Sequence, residues 1–61
     1  MTLRELFTVL DTDAFWLCNH NGSWTGYFEG DAAEKAREDF AEVEVLTAIP
    51  VSGAADIWLA I

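Results

Sequence analysis

Basic residues are what this chain most lacks: three lysines and arginines stand against eleven aspartates and glutamates, a formal net charge of −8. That balance excludes direct binding to DNA, RNA or an anionic membrane, all of which use lysine and arginine to displace counterions. It leaves room for a basic protein surface as partner, or for acidity that only keeps a small apolar domain in solution. A single cysteine, Cys18, excludes an intramolecular disulfide and gives no sign of an oxidising compartment. One proline and four dispersed glycines, Gly22, Gly26, Gly30 and Gly53, supply no linker, no low-complexity tract and no glycine-rich phosphate loop. The N-terminus shows no basic stretch followed by an apolar core, and no apolar run is long enough to span a bilayer. A soluble, cytoplasmic protein is therefore expected.

What is present is a high apolar content, 52%, which excludes a disordered acidic tail. The expected unit is one domain, residues 1–61. A chain of this size buries only about 60% of its unfolded surface, so it is marginal without help from a disulfide, a metal or a partner.

The most informative stretch is Ala14 to Glu29, with five of the eight aromatic residues. Asn21-Gly22 between strand-like runs predicts a β-hairpin with a two-residue type I′ turn. That turn pairs Cys18 with Thr25, Leu17 with Gly26, Trp16 with Tyr27 and Phe15 with Phe28. Phe15, Leu17, Trp24 and Phe28 then share one face, and Trp16, Cys18, His20, Thr25 and Tyr27 the other. Both faces are apolar, although a domain this small can cover only one.

Upstream, Thr2-Leu3-Arg4-Glu5 matches a capping box. Leu3, Leu6, Phe7 and Leu10 follow at helical spacing as far as Asp11-Thr12-Asp13, whose side chains favour a turn. Downstream, Asp31 is the expected N-cap of a second helix with Glu34 completing its capping box. Ala33, Ala36 and Phe40 form its apolar stripe, and Asp31–Lys35 and Lys35–Asp39 are i,i+4 pairs. From Glu42 the period falls to two, with Val43, Val45, Thr47 and Ile49 on one side. Pro50-Val51-Ser52-Gly53 signals a turn, and Ile57, Leu59 and Ile61 mark the last strand. A three- or five-residue loop would set Ile49 against Ile57, Thr47 against Leu59 and Ala48 against Trp58. A two-residue Ser52-Gly53 loop sets Ile49 against Asp56 and is rejected on that ground. The order α-β-β-α-β-β implies an α+β domain: a four-stranded, largely antiparallel sheet with two short helices on one face.

Chemistry-bearing constellations are sparse. Cys18 and His20 lie at i and i+2 on one strand face, but a thiolate–imidazole nucleophile also needs an orienting group and an oxyanion site. Zinc needs further ligands, here only carboxylates such as Glu29 or Glu44. Asp11, Asp13, Glu29 and Asp31 flank the helix–strand joints, where capping and turn roles account for most of them; paired-carboxylate catalysis needs a cleft that 61 residues hardly provide. Asn21-Gly22-Ser23 matches the glycosylation triplet, which the turn explains better. The expectation is a protein that is not an enzyme and that uses no cofactor and no metal.

If Phe15, Leu17, Phe28, Val43, Val45, Ile57, Leu59 and Ile61 meet the helices, then Trp16, Tyr27, Leu46 and Trp58 form an apolar patch on the opposite face, rimmed by Glu29, Glu44 and Asp56. Such patches mark protein interfaces, with tryptophan and tyrosine as favoured anchors. The first expected use is self-association as a homodimer, the second a foreign partner. A reversed assignment would instead expose Phe15, Trp24 and Phe28.

The opening LRELFTVLDTD from Leu3 to Asp13, the aromatic strand ending YFEG at Gly30 and the acidic helix after it resemble a group of short uncharacterised proteins. Those occur in phages and prophages of gut Firmicutes, often begin LRELL-x-V-x-D, and share the α-β-β-α-β-β rhythm. The resemblance covers most of the chain as pattern, implies a phage or mobile-element setting and assigns no catalytic residue. The chain departs from the group in its tryptophan content and apolar C-terminal end. That setting adds an alternative to self-association: an inhibitor of a basic host nucleic-acid enzyme, of anti-CRISPR or anti-restriction type. Its DNA-mimicking surface would be Glu34, Glu38, Glu42 and Glu44.

Overall fold

The computed structural model describes residues 1–61. Its elements are α1 (Leu3–Leu6), β1 (Ala14–Cys18), β2 (Thr25–Glu29), α2 (Gly30–Asp39), β3 (Val45–Val51) and β4 (Ala54–Leu59). Two hairpins lie side by side in a four-stranded sheet of order β2-β1-β4-β3. The hairpins are antiparallel, while the central β1–β4 pair is parallel, with Trp16 opposite Asp56, Leu17 opposite Ile57 and Cys18 opposite Trp58. The architecture is the expected α+β one, with a mixed, mostly antiparallel sheet.

The core forms between one sheet face and the helices. Leu3 and Leu6 of α1 and Ala33 and Ala36 of α2 pack with Phe15, Leu17, Ala55, Ile57 and Leu59. Phe7, Phe28, Val43, Val45 and Ala48 are half-buried against that cluster. The small alanines let α2 approach the sheet closely. On the expected face list Ile61 alone departs: it is exposed beyond the end of β4.

The α1 capping box forms as read. The Thr2 amide donates to Glu5 Oε1 at 2.8 Å, and the Glu5 amide donates to Thr2 Oγ1 at 3.3 Å. One helical turn is too short to persist alone. Its next free donors are taken by the chain before β3: Leu3 N–H donates to Val43 C=O and Arg4 N–H to Ala41 C=O. These bonds fix α1 to the sheet margin.

Three local expectations are corrected. Asn21 does not take the positive φ that a type I′ turn requires; only Gly22 does, at φ +75°. Instead the Gly22 amide donates to Asn19 C=O, and Asn19 Oδ1 accepts from the Trp24 amide, so an asparagine-held loop closes the hairpin in the expected strand register. Asp31 is not the N-cap of α2, and no Asp31–Lys35 ion pair forms. The helix starts at Gly30 directly after the extended Glu29, and no side chain caps it. Gly30 at φ +59° makes that abrupt change of direction, a backbone state costly to a residue with a Cβ.

The third correction concerns β3. Its partner register is Thr47 with Trp58, Ala48 with Ile57 and Ile49 with Asp56, closed by the two-residue loop between Val51 and Ala54 that the sequence reading rejects. The strand begins at Val45, not Glu42, and carries a bulge between Val45 and Thr47. Leu46 is the extra residue. Val45 therefore faces the core with Leu59, but after the bulge the inward positions are Ala48 and Pro50, and Thr47 and Ile49 turn outward. One inserted residue inverts the faces of everything beyond it.

The uncovered sheet face as candidate interface

Opposed residues share a face of a sheet, so the registers define two rows across the outer side. The first runs Tyr27, Trp16, Asp56, Ile49; the second runs Thr25, Cys18, Trp58, Thr47. No helix covers them. Trp16 is 42% exposed, Tyr27 45%, Ile49 49% and Val51 44%, with Leu46 at 54% by the bulge on the sheet's edge. Trp58 is half-buried, because the hairpin tip curls over it: a Cβ on Gly22 would lie 2.9 Å from the Trp58 indole. Trp16 and Tyr27 stack at 4.8 Å between ring centroids, and the Tyr27 hydroxyl donates to Glu29 Oε2 at 3.1 Å. That carboxylate acceptor holds the Tyr27 proton above its ordinary range.

Trp16, Tyr27 and Trp58, all expected on this face, lie on it together, with Leu46 at its margin. Ile49 and Val51 join them, unforeseen because the bulge is invisible to simple alternation. The reversed face is ruled out for Phe15, which is fully buried, whereas Trp24 is 41% exposed and lies near Phe40 at the helix side of the sheet, ring centroids 6.3 Å apart.

Asp56, expected on the rim, sits within the patch. Trp16 faces it across β1, Ile49 across β3, and Trp58 follows it on β4. Trp16, Cys18, Gly22, Thr25, Val51, Asp56 and Trp58 line a groove of about 410 Å³. The Asp56 carboxylate forms no ion pair, and its one side-chain donor is the Cys18 thiol at 3.4 Å. Cys18 is nearly inaccessible, and burial, above all, raises its pKa above the usual thiol value, with the Asp56 carboxylate adding to the effect.

Cys18 and His20 do not meet as a nucleophilic pair. The thiol turns to Asp56 and Thr25, and His20 Nδ1 lies 2.7 Å from the Ile61 carbonyl oxygen. Nor do three histidine, cysteine or carboxylate side chains converge anywhere as metal ligands would.

The four glutamates of the expected acidic surface are all exposed but not equally free. Glu42 takes Arg4 at 2.7 Å, and Glu44 takes the Met1 amino group at 2.7 Å. Glu34 and Glu38 line a pocket on the helix side that also holds Arg4, Lys35 and Arg37, every lysine and arginine of the chain. Arg37 lies over the Phe7 ring at 4.6 Å, and Lys35 pairs with Asp39 at 3.3 Å. The lysine and arginine side chains are thus gathered on one side and wholly missing from the outer sheet face.

The chain matches no protein-family model, no curated protein and no solved structure. No helix is long and apolar enough to cross a membrane.

Proposed function

We infer that this protein is a non-enzymatic interaction module that works by docking a protein partner on its outer sheet face. The observation that carries this reading is a row of exposed apolar side chains, Tyr27, Trp16 and Ile49, interrupted only by Asp56, on a face that no element of the chain covers. A standard interface of about 800 Å² per partner would take about a fifth of the 3845 Å² surface. For a domain with eleven buried residues, covering that face would contribute a large share of its stability.

Two occupants answer the need. A second copy supplies apolar area, but two-fold pairing of this face would bring together two surfaces that each carry Asp56 and Glu29 and neither a lysine nor an arginine. A basic partner supplies area and countercharge at once, and in the phage-like setting such a partner would be a host protein. The DNA-mimic alternative has less support, because cations already occupy Glu42 and Glu44.

The test is a selection of binders from a random peptide library, with the solution mass measured in parallel across a wide concentration range. Selected peptides should lose about tenfold or more in affinity against Trp16→Ser and little against a Glu34→Gln/Glu38→Gln double variant. Binders that ignore Trp16→Ser, together with a constant monomer mass, would remove the reading. A mass that doubles with concentration and reverts in Trp16→Ser would assign the face to a second copy.

A further inference from the structure

We propose that the groove around Asp56 is a receptor for a cationic side chain, arginine or lysine, presented by a basic protein partner. This rests on the outer face being an interface and names the chemistry at its centre. Three observations converge on it. Asp56 is a carboxylate set among Trp16, Trp58, Ile49 and Val51, so its charge is partly withdrawn from water. Its one side-chain donor is a thiol, the weakest donor among polar side chains, and one that burial keeps protonated. The chain's own lysine and arginine all stand on the helix side, so nothing within the molecule completes the carboxylate.

An arginine or lysine entering this groove meets the carboxylate with its head and indole surface with its stem. A guanidinium pairs bidentately with a carboxylate and stacks on aromatic rings, which makes arginine the better fit of the two. Cation–π attraction to tryptophan strengthens as water is excluded, and Thr25 and the Gly22 backbone at the tip end of the groove add polar edges. The same geometry opposes a second copy of the outer face, which brings a further carboxylate and no cation.

The probe is N-acetyl-arginine methylamide, compared with the equally shaped but neutral citrulline analogue, titrated into the full chain and followed by the indole and amide NMR signals. The arginine probe should move the Trp16 and Trp58 indole signals and leave Trp24 unmoved, and citrulline should bind about fivefold or more weakly. Asp56→Asn should weaken the arginine probe by a similar factor, whereas Glu38→Gln, the same loss of charge on the helix side, should change it less than about twofold. Equal movement of all three indoles, equal binding of citrulline, or equal loss in both variants would overturn the proposal. If the probe fails while library peptides still depend on Trp16, the groove is not a cation receptor but the face remains an interface. If both fail, the interaction reading falls with it.

Discussion

Leu17 and Trp16 are neighbours in one strand, both large and apolar, yet Leu17 is wholly buried and Trp16 is 42% exposed. The difference extends across the sheet. Phe15, Leu17, Ile57 and Leu59 lie under two helices, while Trp16, Tyr27, Ile49 and Val51 look outward with nothing above them. The helix side also holds every lysine and arginine, and the outer face holds none. The sheet thus has one face packed into the core and one that the chain leaves uncovered. On the proposal made above, the uncovered face is the one that meets a partner, and the Asp56 carboxylate within it calls for a basic one.

The largest effect that tests this contrast is on the buried side. Leu17→Ala should cost about 2–5 kcal/mol, a large part of the roughly 3–9 kcal/mol expected of a chain this size, and lower the urea midpoint sharply by circular dichroism. Trp16→Ala one position away should shift the urea midpoint only slightly; a loss as large as that of Leu17→Ala would mean the two faces are not distinct. Gly22→Ala links them. At φ +75° the backbone alone costs about 1–2 kcal/mol, and the added methyl must displace Trp58, so that indole's NMR signal should move with the stability loss.

A smaller change concerns the helix side. Thr2→Ala should cost about 1 kcal/mol by removing a helix cap. The hydrogen bond from the Thr2 amide, first, and the Thr2 hydroxyl contact hold the Glu5 carboxyl below its ordinary value. The stability this contributes is present above the unfolded carboxyl range and is lost as pH falls through the depressed folded value; Thr2→Ala keeps the amide and removes only the hydroxyl's share, so the difference between the two proteins should shrink slightly in acid. Cys18 gives the smallest signal and the opposite sign. Its raised pKa means stability present below the free thiol value and lost as pH rises through the folded value. Urea midpoints above about pH 9 should therefore fall more in wild type than in Cys18→Ala. Rapid thiol labelling of the folded protein at neutral pH would contradict the burial of that side of the groove.

Much of this was readable locally. The Thr2–Glu5 capping box, the Cys18–Thr25 to Phe15–Phe28 register, the alanine stripe of α2 and the shared face of Trp16 and Tyr27 all follow from spacing, whereas spacing left open which of the two faces turns outward. What failed were points where one residue's backbone state outweighed the pattern. Asn21 pointed to a primed turn, but the side chain of Asn19 closes the hairpin another way. Asp31 had the composition of an N-cap, but Gly30 lets the helix start two residues too early for it.

The amino-acid order by itself determined the elements, the hairpin pairing of β1 with β2 and the two-sided apolar character of the first hairpin, because these depend on contacts within a few residues and on a period of two or 3.6. Only the tertiary structure decided that β1 and β4 lie parallel at the centre, and that a bulge at Leu46 turns Ile49 and Val51 outward. It was those two long-range facts, invisible to any local period, that moved Asp56 from the rim of an aromatic patch to its middle.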